Sequence, residues 1–211
     1  MATRRKGCKN FTGKLGDSVI YELNGQLVKR SIGEVTADPT RPQLANRQKM
    51  ALVTALLRPV KDFIRMGFEL EAKGKTFSPN NKAVSWNYLN AVKGVYPDQE
   101  IDYAKALFSK GRMPVNNQFS IEITAIGLLL TWDPDFLPGG TKPTDHVMLI
   151  AYCPEKEQAF YQTDGARRRE GREELSLPRY HEKVIVHVYA AFIATDRKSI
   201  SDSVYAGQLL W

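Results

Sequence analysis

Cysteine is scarce in this chain. Only Cys8 and Cys153 occur among 211 residues, far apart and in no Cys-x-x-Cys spacing. That excludes a disulfide framework, with a single Cys8–Cys153 bridge as the less favoured alternative. Two reduced thiols are expected instead, Cys153 inside a strand and Cys8 near the start of the chain. Histidine is equally sparse: His146, His181 and His187 stand at ligand spacing neither from one another nor from a cysteine, and no His-Glu-x-x-His occurs. Structural histidines and no metal are therefore expected. No apolar run is long enough to span a bilayer; the longest, near residues 121–132, is interrupted by Glu122 and Thr124. No apolar stretch follows the basic N-terminus, which argues against a Sec signal peptide. A cytoplasmic location is the expectation, with particle association or export by a non-Sec route as open alternatives.

Catalytic signatures are missing as well. The chain has no Gly-x-Ser-x-Gly and no defensible Ser/His/Asp order. Gly13-Lys14-x-Gly16 has a superficial phosphate-loop look, but a P-loop lies between a strand and a helix, and here a hairpin signal follows. The carboxylate pairs Glu69/Glu71 and Glu173/Glu174 have nothing to place them in a cleft. Asp133, Asp135 and Asp145 surround a Pro/Gly-rich loop in a spacing unlike an EF-hand, and read as loop carboxylates. No enzyme activity, cofactor or small-molecule substrate is expected from these residues.

What the chain does have is an ordinary folded composition, 43% hydrophobic and 25% charged, which excludes wholesale disorder. Its formal net charge is +7. Much of the excess lies early, at Arg4, Arg5, Lys6, Lys9 and Lys14, then at Lys29 and Arg30. A basic arm of this kind is either a solvated tail or a binder of nucleic acid or another anionic surface. The mixed-sign run over residues 167–174 keeps no single sign, so it reads as an exposed, ion-paired loop or edge strand.

Along the chain, residues 19–23 and 26–30 flank Asn24-Gly25. Both turn residues tolerate positive φ, so this pair predicts a type I′ hairpin. Val19, Tyr21 and Leu23 alternate onto one face, and Gly13 and Gly16 suggest an irregular approach to the hairpin. A helix is predicted from Thr40-Arg41-Pro42-Gln43 onward, with Pro42 tolerated in the first turn. Pro59 should kink or split it, and Gly67 should end it as a left-handed cap. A second helix should start at Ser78-Pro79-Asn80 and stop by Gly94. Residues 101–109 read as a strand or short extended segment. After Pro114 seven strand-like runs follow, at 119–126, 128–132, 147–153, 158–161, 174–177, 184–194 and 204–210. That count predicts an α+β protein: an N-terminal β-hairpin and helices, residues 1–113, packed on a C-terminal immunoglobulin/fibronectin-III-like β-sandwich, residues 114–211. No Cys–Trp–Cys core is present, so antibody-type domains are excluded.

A set of scattered residues carries a resemblance. It comprises Gly13-Lys14-x-Gly16, Tyr21, Gly25, Arg30-Ser31, Pro39-Thr40, Gln43-Leu44-Ala45, Arg47 and Pro59. It continues with Asn80-x-x-Ala83-Val84-Ser85, Gly94, Ile101-Asp102-Tyr103, Ser109-x-Gly111 and Ser201-x-Ser203-x-Tyr205-x-Gly207. The set resembles an uncharacterised family from Bacteroidota of similar length and covers nearly the whole chain. That resemblance implies no activity and no catalytic residues. The expected function is a non-enzymatic structural or self-assembly protein, a component of a filament, a surface layer or a phage-like particle, with a homo-oligomer as the natural partner. The alternative is binding to nucleic acid or an anionic surface through the basic arm. The candidate assembly or anion-binding residues are Arg4, Arg5, Lys6, Lys9, Lys14, Gly13, Gly16, Tyr21 and Arg30.

Overall fold

A computed structural model describes residues 3–4, 11–34 and 37–211, with side chains described from residue 12 onward. Cys8 and the candidates Arg5, Lys6 and Lys9 lie outside the described residues. The chain divides into two compact units, Met1–Thr40 and Arg41–Trp211.

The first unit is a four-stranded antiparallel meander of β1 (Thr3–Arg4), β2 (Phe11–Leu15), β3 (Ser18–Leu23) and β4 (Gln26–Ser31), in that spatial order. The expected hairpin is β3–β4. Asn24 and Gly25 take φ of 50° and 79°, the double positive φ of a type I′ turn, and Leu23 pairs with Gln26 across it. The irregular approach is itself a strand: β2 pairs with β3 around the turn Gly16-Asp17, where Gly16 has φ of 57°. Hydrophobic alternation did not reveal β2 because Gly13 and Lys14 interrupt it.

The second unit begins with α1 (Arg41–Leu57), with Pro42 in its first turn. A 3-10 turn at Arg58–Val60 separates it from α2 (Lys61–Gly67), so Pro59 splits the helix in two. The short α3 (Glu69–Ala72) follows at once. Gly67 therefore does not act as the left-handed cap expected of it, and it is absent from the glycines at positive φ. Its role is close approach: a Cβ there would overlap the carbonyl oxygen of Phe108 and press on Ser109. Helix α4 (Pro79–Asn90) starts where expected, with the Ser78 hydroxyl accepting from the Asn81 amide at 3.2 Å. It ends before Gly94, because Val92–Lys93 (β5) turns into a two-residue ladder with Glu100–Ile101 (β6).

All seven strand-like runs form strands. They are β7 (Phe119–Ile123), β8 (Gly127–Trp132), β9 (His146–Cys153), β10 (Gln158–Gln162), β11 (Arg172–Ser176), β12 (Ile185–Ile193) and β13 (Val204–Leu210). They build two antiparallel sheets, ordered β10-β9-β12-β13 and β11-β8-β7.

Strands β9 and β12 are buried along almost their whole length, and the period of two divides their side chains between two cores. Val147, Leu149, Ala151 and Cys153 of β9, with Val186, Val188, Ala190 and Phe192 of β12, pack against Leu128, Leu130 and Trp132 of the three-stranded sheet. Met148, Ile150, Tyr152, Tyr189, Ala191 and Ile193 point the other way, onto Val53, Leu56, Phe63, Ile64 and Phe68 of the helices. The unit is thus three layers: helices, four-stranded sheet, three-stranded sheet. Covering both faces explains why β9 and β12 read as continuous apolar runs rather than alternating ones. Each fully buried large apolar side chain contributes about 1.5–3 kcal/mol. The helices reach their core only by using the outer face of the C-terminal sheet.

Candidate functional site

The polar groups that the second unit buries lie mostly where distant segments are joined. The segment 107–113 leaves the helical layer and runs beside residues 200–203, the approach to β13. The Ser203 hydroxyl accepts from the amide of Phe108 at 2.9 Å, and the Ser203 amide donates to the Ser109 carbonyl at 3.1 Å. The Ser109 hydroxyl donates to the Ser201 carbonyl at 2.9 Å, and the Ser201 hydroxyl accepts from the Phe192 amide at 2.9 Å. The Gly111 amide donates to Asp202 Oδ1 at 2.8 Å, and the Met113 amide to the Ile200 carbonyl at 3.0 Å. The Lys110 amide donates to Gly67 at 2.9 Å, so the same segment ties in the end of α2. Asn87, fully buried on α4, completes the join with bonds to both the amide and the carbonyl of Leu107, at 2.9 and 2.8 Å. Ser109-x-Gly111 and Ser201-x-Ser203, two pieces of the family pattern, are therefore one hydrogen-bonded seam. Sequence reading found the pieces without their pairing, because nothing local links residues that far apart.

A second polar join was misread from sequence. Arg168 and Asp145 are each 1% exposed, with Nε and Oδ2 3.6 Å apart. The guanidinium carbon also lies 3.8 Å from the centre of the Phe192 ring, and Trp132 Nε1 donates to the Arg168 carbonyl at 2.7 Å. Burial lowers the Arg168 pKa while the neighbouring Asp145 carboxylate opposes that shift. The run 167–174 is thus not wholly exposed, and Asp145 is not a solvated loop carboxylate. An aromatic face and a buried counter-charge hold Arg168 inside. Of the rest of the run, β11 lies at the edge of its sheet as expected, but the expected ion pairing does not form there among the described residues.

The three histidines do not converge. His181 is exposed. His146 Nδ1 lies 2.9 Å from the Gly165 carbonyl and 3.2 Å from Asp164 Oδ1. His187 is buried on β12, stacked on Tyr103 at 3.9 Å between ring centres, with Nδ1 3.0 Å from the Tyr205 hydroxyl. Burial lowers its pKa to about 4, so it is neutral near pH 7. The same burial raises the pKa of Tyr103, Tyr152, Tyr189 and Tyr205. The four tyrosines are therefore held protonated near pH 7, in a ring-packed cluster around the neutral His187. Among the described residues no group of three His, Cys, Asp or Glu side chains is placed to hold a metal ion. Among them, too, no helix is long and apolar enough to cross a membrane.

The sequence-derived candidates fall in the first unit. Lys14 pairs with Val19, and Val19 pairs with Arg30, so Lys14 and Arg30 flank Val19 on one face of the sheet. Tyr21, two residues beyond Val19, shares that face and pairs with Val28. Gly13 and Gly16 shape β2 and its turn and offer no side chain to a partner. For Arg4 the backbone alone is described, in β1. Among the described residues of this unit none is buried, and Leu15, Leu23 and Leu27 are 58%, 53% and 47% exposed.

Neither curated proteins nor solved structures yielded a match to this chain. The model of one protein family does match, over residues 10–207, from β2 to the middle of β13 and so across both units. The chain belongs to that family, a family of unknown function designated DUF6266.

Proposed function

We propose that this protein is a non-enzymatic structural component that assembles with copies of itself, its N-terminal unit supplying the contact surface. One observation carries the reading: the four-stranded sheet of the first unit holds no buried residue among those described, yet exposes Leu15, Leu23 and Leu27. Leu15 and Leu27 lie on one face with Ile20, and Leu23 lies on the other with Val19 and Tyr21, so each face carries apolar side chains for a partner to cover. The occupant we assign is a second copy of the chain. Strand β4 is the last strand of its sheet, so its outer edge offers backbone donors and acceptors to a strand of that copy.

The reading includes an immunoglobulin/fibronectin-III-like sandwich in the C-terminal layers. Its support is topological: three antiparallel strands, β7-β8-β11, face four, β13-β12-β9-β10, with the chain crossing between sheets after β8, β10 and β11. A Bacteroidota origin, and a place in a filament, surface layer or phage-like particle, belong to the same proposal. So does a cytoplasmic site of synthesis.

Light scattering across a concentration series, with negative-stain microscopy, tests the assembly. Association that weakens in Leu23→Ser and Leu27→Ser is expected. A monomer at every concentration, with no particles, would remove the reading. The second reading, binding of nucleic acid or an anionic surface by the basic arm, draws on Lys14 and Arg30 flanking Val19 on one face. Mobility shift at falling salt addresses it, since phosphate contacts must strengthen as salt is removed.

A further inference from the structure

The seam between residues 107–113 and 200–203 forms one wall of a surface groove of about 290 Å³. Four cations line it: Lys75, Lys110, Arg112 and Lys198, with Glu71 as the single lining carboxylate. The nearby anions are already engaged. Glu71 Oε1 is shared by Lys75 at 3.6 Å and Lys82 at 3.7 Å. Asp202 takes the Gly111 amide on Oδ1 and lies 3.8 Å from Lys110 Nζ through Oδ2. Arg112 and Lys198 have no ion pair among the described residues. Five cations thus surround two carboxylates that are each held by a partner. Like charges gathered at one concavity repel unless a counter-anion joins them.

The groove is also braced. Lys110 Nζ sits 4.0 Å from the centre of the Trp86 ring, which positions its ammonium without neutralising it. Gly111 is pressed so closely on Ile200 that a Cβ would overlap the Ile200 carbonyl oxygen. The backbone carrying Lys110 and Arg112 is therefore set by the seam rather than by the side chains themselves. A guanidinium fork beside compact ammonium groups is the donor set that suits the several oxygens of a phosphate. The volume sits at the lower end of small-molecule sites, which favours a small anion over an extended one.

We propose that this groove binds a phosphate-class dianion, either free phosphate or a small phosphate monoester. The site lies wholly in the second unit and is independent of the assembly reading. Its test is equilibrium dialysis of the full chain at fixed ionic strength, with inorganic phosphate in one arm and glycerol phosphate in the other. Saturable binding of one anion per chain is expected, weakened about tenfold or more in Arg112→Gln/Lys198→Gln. The control pair Lys61→Gln/Lys183→Gln, also exposed but outside the groove, should leave it unchanged. Tighter binding of the ester identifies the ester as the natural form, and equal binding identifies free phosphate. Circular dichroism confirms that both double variants are folded. No saturable binding in either arm, or equal losses in both variant pairs, overturns the site.

Discussion

The hydroxyl oxygen of Ser203 lies 2.9 Å from the amide nitrogen of Phe108, a residue 95 positions earlier, and 3.4 Å from that of Ser109. One side chain thus serves two buried donors that have no helix or sheet partner. It joins the end of the helical layer to the last strand of the sheet that layer covers.

Replacing Ser203 with alanine should leave the Phe108 amide buried and unbonded. We expect a loss of about 1–3 kcal/mol in unfolding free energy, read from urea denaturation. A change within a few tenths of a kcal/mol would mean that water or Ser109 replaces the bond.

Gly111→Ala acts on the same seam through sterics. Its added methyl meets a backbone carbonyl, which cannot rotate away as a flexible side chain would. The expected cost is about 1–3 kcal/mol, visible as a lower denaturation midpoint. The comparison is Gly139→Ala, where the added methyl meets open space and stability should hardly change.

The pair Asp145–Arg168 predicts non-additivity. Asp145→Ala strands a buried guanidinium and should cost about 3–5 kcal/mol. Adding Arg168→Met removes the orphaned charge while keeping an unbranched side chain against Phe192, so the double variant should recover part of that loss. A double variant less stable than Asp145→Ala would show that the Phe192 face, not the ion pair, carries Arg168.

His187 predicts a pH dependence. Burial sets its folded pKa near 4, below the ordinary 6.5. The unfolded chain therefore binds the proton more readily, and stability falls as pH drops from about 6.5 towards 4. The full difference is worth about 3 kcal/mol. In His187→Phe, which keeps an aromatic ring beside Tyr103, that part of the slope should vanish. Unfolding free energies of both proteins across the window decide it, and parallel curves would refute the assignment.

Local chemistry made several elements legible in the sequence. Asn24-Gly25 announced its hairpin because few residue pairs accept two positive φ values in a row. Ser78 and Pro59 marked a helix start and a helix break through their own bonding. The seven C-terminal strands were legible because β-rich runs alternate with turn residues. Where a residue's role depended on a distant neighbour, the reading failed. Gly67 looked like a cap and is a point of close approach to Phe108. Arg168 looked solvated within a charged run and is enclosed by Asp145 and Phe192.

The sequence by itself determined the β3–β4 hairpin, the starts of α1 and α4, the break at Pro59 and the seven C-terminal strands, since those choices rest on φ, side-chain branching and period. It did not determine β2, or the 3-10 turn at Tyr103–Lys105 where an extended segment is expected. Only the tertiary structure decided that β9 and β12 divide their side chains between two cores, that Ser109 and Ser203 meet, and that Lys75, Lys110, Arg112 and Lys198 line one groove. The reason is physical: burial and the pairing of charges are properties of the space between segments, and that space exists only once the chain has folded.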